Sequence, residues 1–119
     1  MNLYIAKINF NIKIDVANSS NQFDEQLRFI YATSENEAFL KARMLGVRED
    51  DSFVNNEGNI VKWEFTDVLE LKLVEEIKDG MEIFSCISER DDAESFVRYI
   101  QQKAKQIESN TEPHLVSYR

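Results

Sequence analysis

The sequence contains few of the side chains from which catalytic and metal sites are usually built. Among 119 residues there is one histidine and one cysteine, which excludes an intrachain disulfide and a structural zinc site made of Cys and His. A Cys–His catalytic pair would require Cys86 and His114, and His114 lies beside the only proline in a polar C-terminal segment. The three glycines are 12 and 22 residues apart, which excludes a Gly-rich phosphate loop.

The remaining reactive side chains are mostly acidic. Cys86 lies in the apolar run 83–87, where we expect it to be a buried structural residue. The acidic clusters 49–51 and 91–94 offer oxygen ligands for a divalent cation, but neither has the spacing of a calcium loop. We therefore predict no enzyme and no catalytic, metal or cofactor-binding residue. A metal-dependent hydrolase that uses Asp or Glu stays open as an alternative.

Charge and hydropathy indicate the class of protein. The net charge is −8, with 43% hydrophobic and 11% aromatic residues, which is typical of a chain that folds. An acidic chain without clustered Lys and Arg is not expected to bind nucleic acid. No window approaches the ~20 apolar residues of a membrane span, and the start lacks a basic leader. We expect a cytoplasmic protein, in keeping with a single thiol.

The first third of the chain predicts two strands. Residues 4–16 alternate between apolar and polar side chains, which indicates a strand with one buried face. Because it would be ~40 Å long, it must bend, carry a bulge or extend past its sheet. After the polar turn 17–21, a second strand carries four large apolar residues on one face, and we expect the aromatic ones to belong to the core: Phe23, Leu27, Phe29 and Tyr31.

Two helices are predicted. Ser34 and Glu37 form a capping box in which each side chain reaches the other residue's amide. The helix should run over 35–45, with Ala38 and Ala42 facing inward and Gly46 as the residue just after its end. A second helix follows from apolar positions with helical spacing, and acidic residues precede it as the helix dipole favours. These positions are Ala93, Phe96, Val97, Ile100, Ala104 and Ile107.

The segment between the helices predicts three further strands. A short strand at 52–54 and a long one at 61–73 flank a hairpin loop. Asp67 falls on the apolar face of the long strand, which predicts a bulge near Thr66 and Asp67. The Asp79–Gly80 turn should lead into a last strand over 81–87. The predicted fold is α+β, in the order β-β-α-β-β-β-α. An antiparallel sheet of about five strands has both helices packed on one face. We expect one domain over 1–108 and a polar tail over 109–119.

The functional prediction is based on the length of the first strand. If it overhangs its sheet, its edge is available for pairing with a second copy or with another protein. We therefore predict a non-enzymatic module that binds protein or forms a homodimer. An acidic inhibitor of a basic toxin is the first alternative. The residues that we single out, at the turns and at the break in the apolar face, are Trp63, Asp67, Asp79, Gly80 and Glu82. The sequence does not identify a partner, an oligomeric state or a physiological role.

Several segments together resemble a known family. They are Leu3-Tyr4-Ile5-Ala6-Lys7, Phe23-Asp24-Glu25-Gln26, the helix segment from Ala32 to Gly46, Trp63-x-Phe65-x-Asp67-Val68-x-Glu70-Leu71, and Asp79-Gly80-Met81-Glu82-Ile83. This pattern is similar to a family of small bacterial proteins known as a domain of unknown function. The resemblance implies a bacterial, soluble, single-domain protein. It implies no activity, cofactor or catalytic residue.

Overall fold

The computed structural model describes residues 1–110. The first compact unit is Met1–Ile83, and a second begins at Phe84. Within residues 1–110 the chain forms four strands and two helices: β1 (Asn2–Ile14), β2 (Gln22–Ala32), α1 (Glu35–Arg48), β3 (Asp51–Val54), β4 (Ile60–Val74) and α2 (Ala93–Ser109). The predicted α+β class is confirmed. His114 and most of the predicted tail lie outside the described residues, and the predicted division at residue 108 stays a prediction.

The four strands form one antiparallel sheet in the order β2-β1-β4-β3. Both predicted hairpins are present, since β1 pairs with β2 and β3 pairs with β4. The expectation that the long first strand overhangs its sheet is wrong. β1 pairs with β2 over residues 2–12 and with β4 over residues 3–14, so two long neighbours satisfy its backbone. Among the described strands, β2 has a neighbour on one side only, and β4 has a second neighbour only over residues 60–63, where β3 pairs with it.

The core lies between the sheet and α1. Alternate residues of β1 are buried on this inner face, as the alternation predicts: Tyr4, Ala6, Ile8 and Phe10. From α1, Ala38 and Ala42 are fully buried against them, because small side chains let a helix lie close to a sheet. Trp63, Phe65, Val68 and Leu71 of β4 pack against the same cluster.

The start of α1 is capped nearly as predicted. The Ser34 hydroxyl accepts a hydrogen bond from the amide of Glu37 at 3.1 Å. The Glu37 carboxylate reaches back one residue further than predicted, to the amide and hydroxyl of Thr33 at 3.3 and 2.8 Å. The Glu37 amide, one of the four orphan donors at the helix start, therefore has a partner, and the Glu37 side chain fixes the residue before the N-cap.

Gly46 has a different role from the predicted one. The helix continues to Arg48 with Glu49 as its C-cap, so Gly46 is an internal helical residue, and it is buried. A Cβ atom at this position would lie 2.2 Å from Cδ1 and 2.3 Å from Cε1 of Phe65. The residue is glycine because the Phe65 ring occupies the space of a side chain.

β4 contains two bulges rather than the one predicted. Its pairing with β1 shifts between Lys7 and Ile8 and again between Asn9 and Phe10, which leaves Leu69 and Thr66 without partners in the register. Each bulge adds one residue and reverses the side-chain alternation. Asp67 lies between the two bulges, opposite Asn9, and so the apolar face is not interrupted by an acid.

The predicted fifth strand is absent from the described part of the chain. A turn closes at Asp79–Gly80, with the Met81 amide donating to the Lys78 carbonyl at 3.2 Å and Gly80 at φ +81°. No strand follows among the described residues. The carbonyls of Glu82 and Ile83 accept hydrogen bonds from the Lys72 side chain, at 3.2 and 3.5 Å. Lys72 is paired with Ile5, so this segment crosses the outer face of the sheet, where Ile5 is buried.

The second unit contains the second predicted helix. Its N-cap is Asp92, whose carboxylate accepts from the amide and hydroxyl of Ser95 at 3.1 and 2.7 Å. No residue of α2 is buried. The packing predicted for this helix on the sheet stays a prediction. Cys86, expected in a core strand, is exposed and lies in no strand.

Candidate protein-interaction surface

The side of β2 that packs against the core is the opposite of the side that its sequence predicts. Tyr4 of the core pairs with Ile30, and Ile5 pairs with Phe29, so the even-numbered residues of β2 share the inner face with Tyr4, Ile8 and Phe10. The predicted core row is therefore on the outer face, and it is exposed: Phe23 60%, Leu27 49%, Phe29 66% and Tyr31 60%.

The same residues direct their backbone groups to the free edge of the sheet. In an antiparallel strand the N–H and C=O of one residue point to the same neighbour. The Asp15 amide, directly after β1, donates to the Ile60 carbonyl at 2.9 Å. The backbone groups of odd residues in β1 therefore point to β4, and those of even residues point to β2. Because even residues of β1 pair with even residues of β2, the backbone groups of even residues in β2 point to β1 and those of odd residues point to the free edge. The Tyr31 carbonyl accordingly accepts from Lys41 Nζ at 2.7 Å.

The inner face of β2 carries a chain of polar side chains. Gln26 donates to Asp24 at 2.5 Å, and Arg28 donates to Gln26 at 3.0 Å. Arg28 also forms an ion pair with Glu49 at the end of α1. These hydrogen bonds satisfy polar groups that would otherwise face the core, and they allow β2 to direct its apolar row outward.

Trp63 and Asp67 have separate structural contacts. Trp63 pairs with Ile12 of β1 and Asp51 of β3, and it packs against the core. Asp67 forms a bidentate ion pair with Arg43 of α1, at 2.9 and 3.0 Å, and the Arg43 guanidinium lies 4.3 Å from the centre of the Phe39 ring. The Asp67 pair fixes α1 to the bulged part of β4.

Asp79, Gly80 and Glu82 lie in the turn segment after β4. They are exposed, and the described contact of Glu82 is its carbonyl with Lys72. Lys72 is nine residues from Trp63 along β4, which corresponds to roughly 25–30 Å. The structure therefore places Trp63 and Asp67 within β4 and the other three residues in the turn segment after it. The role of all five in binding stays a prediction.

The carboxyl groups with shifted pKa values are all held in the ionised form. Hydrogen bonds from Arg43 lower the pKa of Asp67, and the hydrogen bond from Arg28 lowers that of Glu49. The cap partners Thr33 and Ser95 lower the pKa of Glu37 and Asp92, respectively. A lowered pKa is the opposite of what a general acid requires at neutral pH.

The described residues include a cleft beside α1 but no cluster suited to a metal ion. An open cleft lies between the start of α1 and β4, lined by Glu35, Asn36, Phe39, Val68, Leu69, Glu70 and Leu71. Residues 1–110 contain no group of three or more His, Cys, Asp or Glu side chains placed to hold a metal ion. Over the same residues, no helix has the length and apolarity needed to cross a membrane.

A sequence signal for the outward row was present but ambiguous. The odd residues of β2 include more large apolar side chains, yet Ile30 and Ala32 on the even row are also apolar. Both belong to the buried core cluster, and Ile30 pairs with Tyr4 of β1. The pairing with β1, rather than the count of apolar residues, determines which row is buried.

Residues 3–85 match a family model described as Domain of unknown function (DUF4288). No curated protein matches the chain. No solved structure matches it either.

Proposed function

The chain belongs to the DUF4288 family, a domain of unknown function, and we propose that it is a non-enzymatic protein-binding module that pairs with a second copy of itself through β2. One observation carries this proposal. The residues that direct their N–H and C=O groups to the free edge also expose four large apolar side chains: Phe23, Leu27, Phe29 and Tyr31.

Strand addition uses both features. Backbone hydrogen bonds to an exposed edge supply affinity, and alternate side chains supply specificity. A long edge strand with exposed apolar residues is otherwise an aggregation hazard, which proteins suppress by charge, bulges or a covering element. Among the five odd residues of β2 only Glu25 is charged. A defined partner strand is therefore the simplest account of this edge.

The side chains of β2 fit an antiparallel copy centred on Gln26. This register sets Phe23 opposite the partner's Phe29 and Asp24 opposite the partner's Arg28. It pairs aromatic with aromatic on the outer face and acid with base on the inner face, both of which are favourable cross-strand pairs. The present link from Gln26 to Asp24 and Arg28 would then be exchanged for ion pairs between the copies.

Neighbouring registers fit less well. A pair centred on Glu25 or on Arg28 sets like charges directly opposite each other, which is unfavourable. A pair centred on Leu27 requires the carbonyl of Tyr31, which already accepts from Lys41. The Gln26 register sets no like charges opposite each other and does not require the Tyr31 carbonyl.

A disulfide test addresses the register directly. In a Cys86→Ser background, Gln26→Cys places two thiols at a pair that is not hydrogen-bonded, with Cα atoms about 4.5 Å apart, within the range of a disulfide. We expect rapid formation of a covalent dimer under mild oxidation. Ser52→Cys, on edge strand β3, is the control. Equal or slower crosslinking at Gln26→Cys would contradict pairing in this register.

A second pair of variants tests the role of the backbone. Leu27→Pro removes an N–H that faces the free edge, so the pairing with β1 is retained. Leu27→Ala truncates the same side chain but keeps the N–H. We expect Leu27→Pro to weaken dimer formation more than Leu27→Ala in sedimentation equilibrium, with circular dichroism reporting that both variants fold. Equal dimer affinities would argue against strand addition.

An acidic inhibitor of a basic protein is the second candidate, and one observation favours it. Residues 75–94 contain eight acidic and two basic side chains, a net charge of −6 out of −8 for the whole chain. Such a segment attracts basic partners at long range. Co-purification of a basic protein that is lost at high salt would support this candidate. A partner retained at 1 M salt would count against it.

A further inference from the structure

The longer part of β4 has an open edge. β3 pairs with β4 only over residues 60–63, so residues 64–74 have β1 as their one described strand neighbour. Because β1 pairs with β2 without a register shift, its odd residues keep pointing to β4, where they pair with the even residues after the second bulge. The backbone N–H and C=O groups of Leu71 and Leu73 therefore point to the open edge.

The side chains of the same two residues lie on the inner face of the sheet. Leu71 pairs with Ala6 and Leu73 pairs with Tyr4, and both partners belong to the core cluster that includes residues of α1. Among residues 1–110, no backbone hydrogen bond outside the strand pairs uses Leu71 or Leu73. A strand added at this edge would therefore direct alternate side chains to the side of the sheet that carries α1.

The cleft beside α1 lies along this edge. Phe39 of α1 lines one wall, and Val68 and Leu71 of β4 line the other. We call the cleft and the adjoining edge, from Val68 to Leu73, the β4 groove, and all of its residues belong to the first compact unit. Strand addition needs backbone groups at an edge and a pocket for alternate side chains, and the β4 groove offers both.

The charges of the groove indicate what it would hold. Its cleft is lined by two carboxylates, Glu35 and Glu70, and by no described basic side chain. Glu35 forms no ion pair in the described part of the chain, and Glu70 keeps 60% of its side chain exposed at 4.0 Å from Lys7 Nζ. A symmetric pair of copies would set one acidic lining against the other. Charge complementarity therefore favours a basic segment.

We propose that the β4 groove binds an extended basic segment of another protein by strand addition. The segment runs antiparallel to β4, the more stable pairing, with apolar side chains opposite Leu71 and Leu73 and a basic one opposite Glu70. The regular edge after the second bulge is ~17 Å long, so the contact is short. The proposal does not rest on pairing of two copies through β2, since the two surfaces share no residue.

A labelled peptide tests the backbone contacts. In the peptide Thr-Val-Thr-Val-Lys-Thr, both valines direct their N–H groups to β4, and the middle threonine and the lysine direct theirs away. In fluorescence anisotropy with the full chain, we expect N-methylation of both valines to raise the Kd about tenfold or more. N-methylation of the middle threonine and the lysine should change it less than about twofold. Equal effects, or no saturable binding of the unmodified peptide, would overturn the proposal.

Three variants test the location. Phe39→Ala removes a wall of the groove and should raise the Kd of the peptide about fivefold or more, whereas Leu40→Ala, at the next residue of α1 and 51% exposed, should change it less than about twofold. Leu27→Pro should leave peptide binding unchanged. Circular dichroism checks that each variant folds.

Two results would overturn this location. Binding that is lost in Leu27→Pro and retained in Phe39→Ala would place the peptide on β2. A dimer that Phe39→Ala weakens in sedimentation equilibrium would assign the groove to a second copy. Because β2 is unchanged in Phe39→Ala, failure of peptide binding at the groove would leave the function proposed for β2 standing.

The preference for a basic segment is tested by removing one carboxylate. Glu35→Gln should raise the Kd of the peptide about two- to fivefold. Glu57→Gln removes the same charge from the exposed loop between β3 and β4 and should have no measurable effect. Equal effects of the two variants, or tighter binding of a peptide with glutamate in place of its lysine, would contradict the assigned charge of the segment.

Discussion

β1 and β2 have similar apolar alternation, but the apolar row of β1 is buried and that of β2 is exposed. The apolar row of β1 is buried under α1, with Ile8 and Phe10 at most 1% exposed. The larger apolar row of β2 is exposed on the other side of the same sheet. The difference shows that alternation identifies a two-sided strand but that its pairing partner decides which side faces the core. A row left outside by this pairing is a candidate for binding.

The largest expected effect is the difference in the free energy of unfolding between Phe10→Ala and Phe29→Ala. Phe10→Ala removes a buried ring and should lower the free energy of unfolding by about 4 kcal/mol. Phe29→Ala removes an exposed ring and should change it by less than about 0.5 kcal/mol. Urea denaturation at concentrations where the chain is monomeric measures both. Comparable losses in the two variants would show that Phe29 belongs to the core.

The next effect tests how closely α1 approaches the sheet. Gly46→Ala places a methyl group inside the space of the Phe65 ring and should cost about 2–3 kcal/mol of stability. Adding Phe65→Leu, which removes the ring, should recover part of this loss. An unchanged melting temperature in Gly46→Ala would contradict the close packing.

The smallest effect concerns the ion pair that joins α1 to the bulged segment of β4. Asp67→Asn weakens its contact with Arg43 and should cost about 0.5–1 kcal/mol at neutral pH, a modest value because both side chains are partly exposed. The folded state lowers the Asp67 pKa, so this stabilisation is complete above about pH 4. It is lost as the pH falls further through the folded-state pKa. Denaturation curves of wild type and Asp67→Asn should therefore converge near pH 2. A constant difference would assign the effect to another cause.

Local signals in the sequence predicted local features well. Ser34 and Glu37 located the start of α1, the spacing of the apolar residues located α2, and Asp67 on an apolar face indicated a bulge. The resemblance to an uncharacterised family was also correct. The three structural signals each depend on residues that are close in sequence, whereas the resemblance rests on segments spread over residues 3–83.

The errors concern contacts between distant residues. Gly46 was predicted to end α1, because the sequence does not show that Phe65 lies against the helix. The 81–87 segment was predicted as a strand from its local apolar residues, but whether such a segment joins a sheet depends on neighbours that are distant in sequence. The exposed row of β2 was predicted as core, because both rows of that strand contain apolar residues and only the register with β1 separates them.

The account rests most directly on the outward direction of the β2 row, which thiol labelling of two adjacent residues measures. In a Cys86→Ser background, Phe29→Cys replaces a side chain that is 66% exposed and Ile30→Cys replaces one that is 7% exposed. We predict that a thiol reagent labels Phe29→Cys at nearly the rate of the unfolded chain. Ile30→Cys should be labelled at least about 100-fold more slowly, because it must wait for local opening. Faster labelling at Ile30→Cys would contradict the assigned faces and, with them, the proposed binding surface.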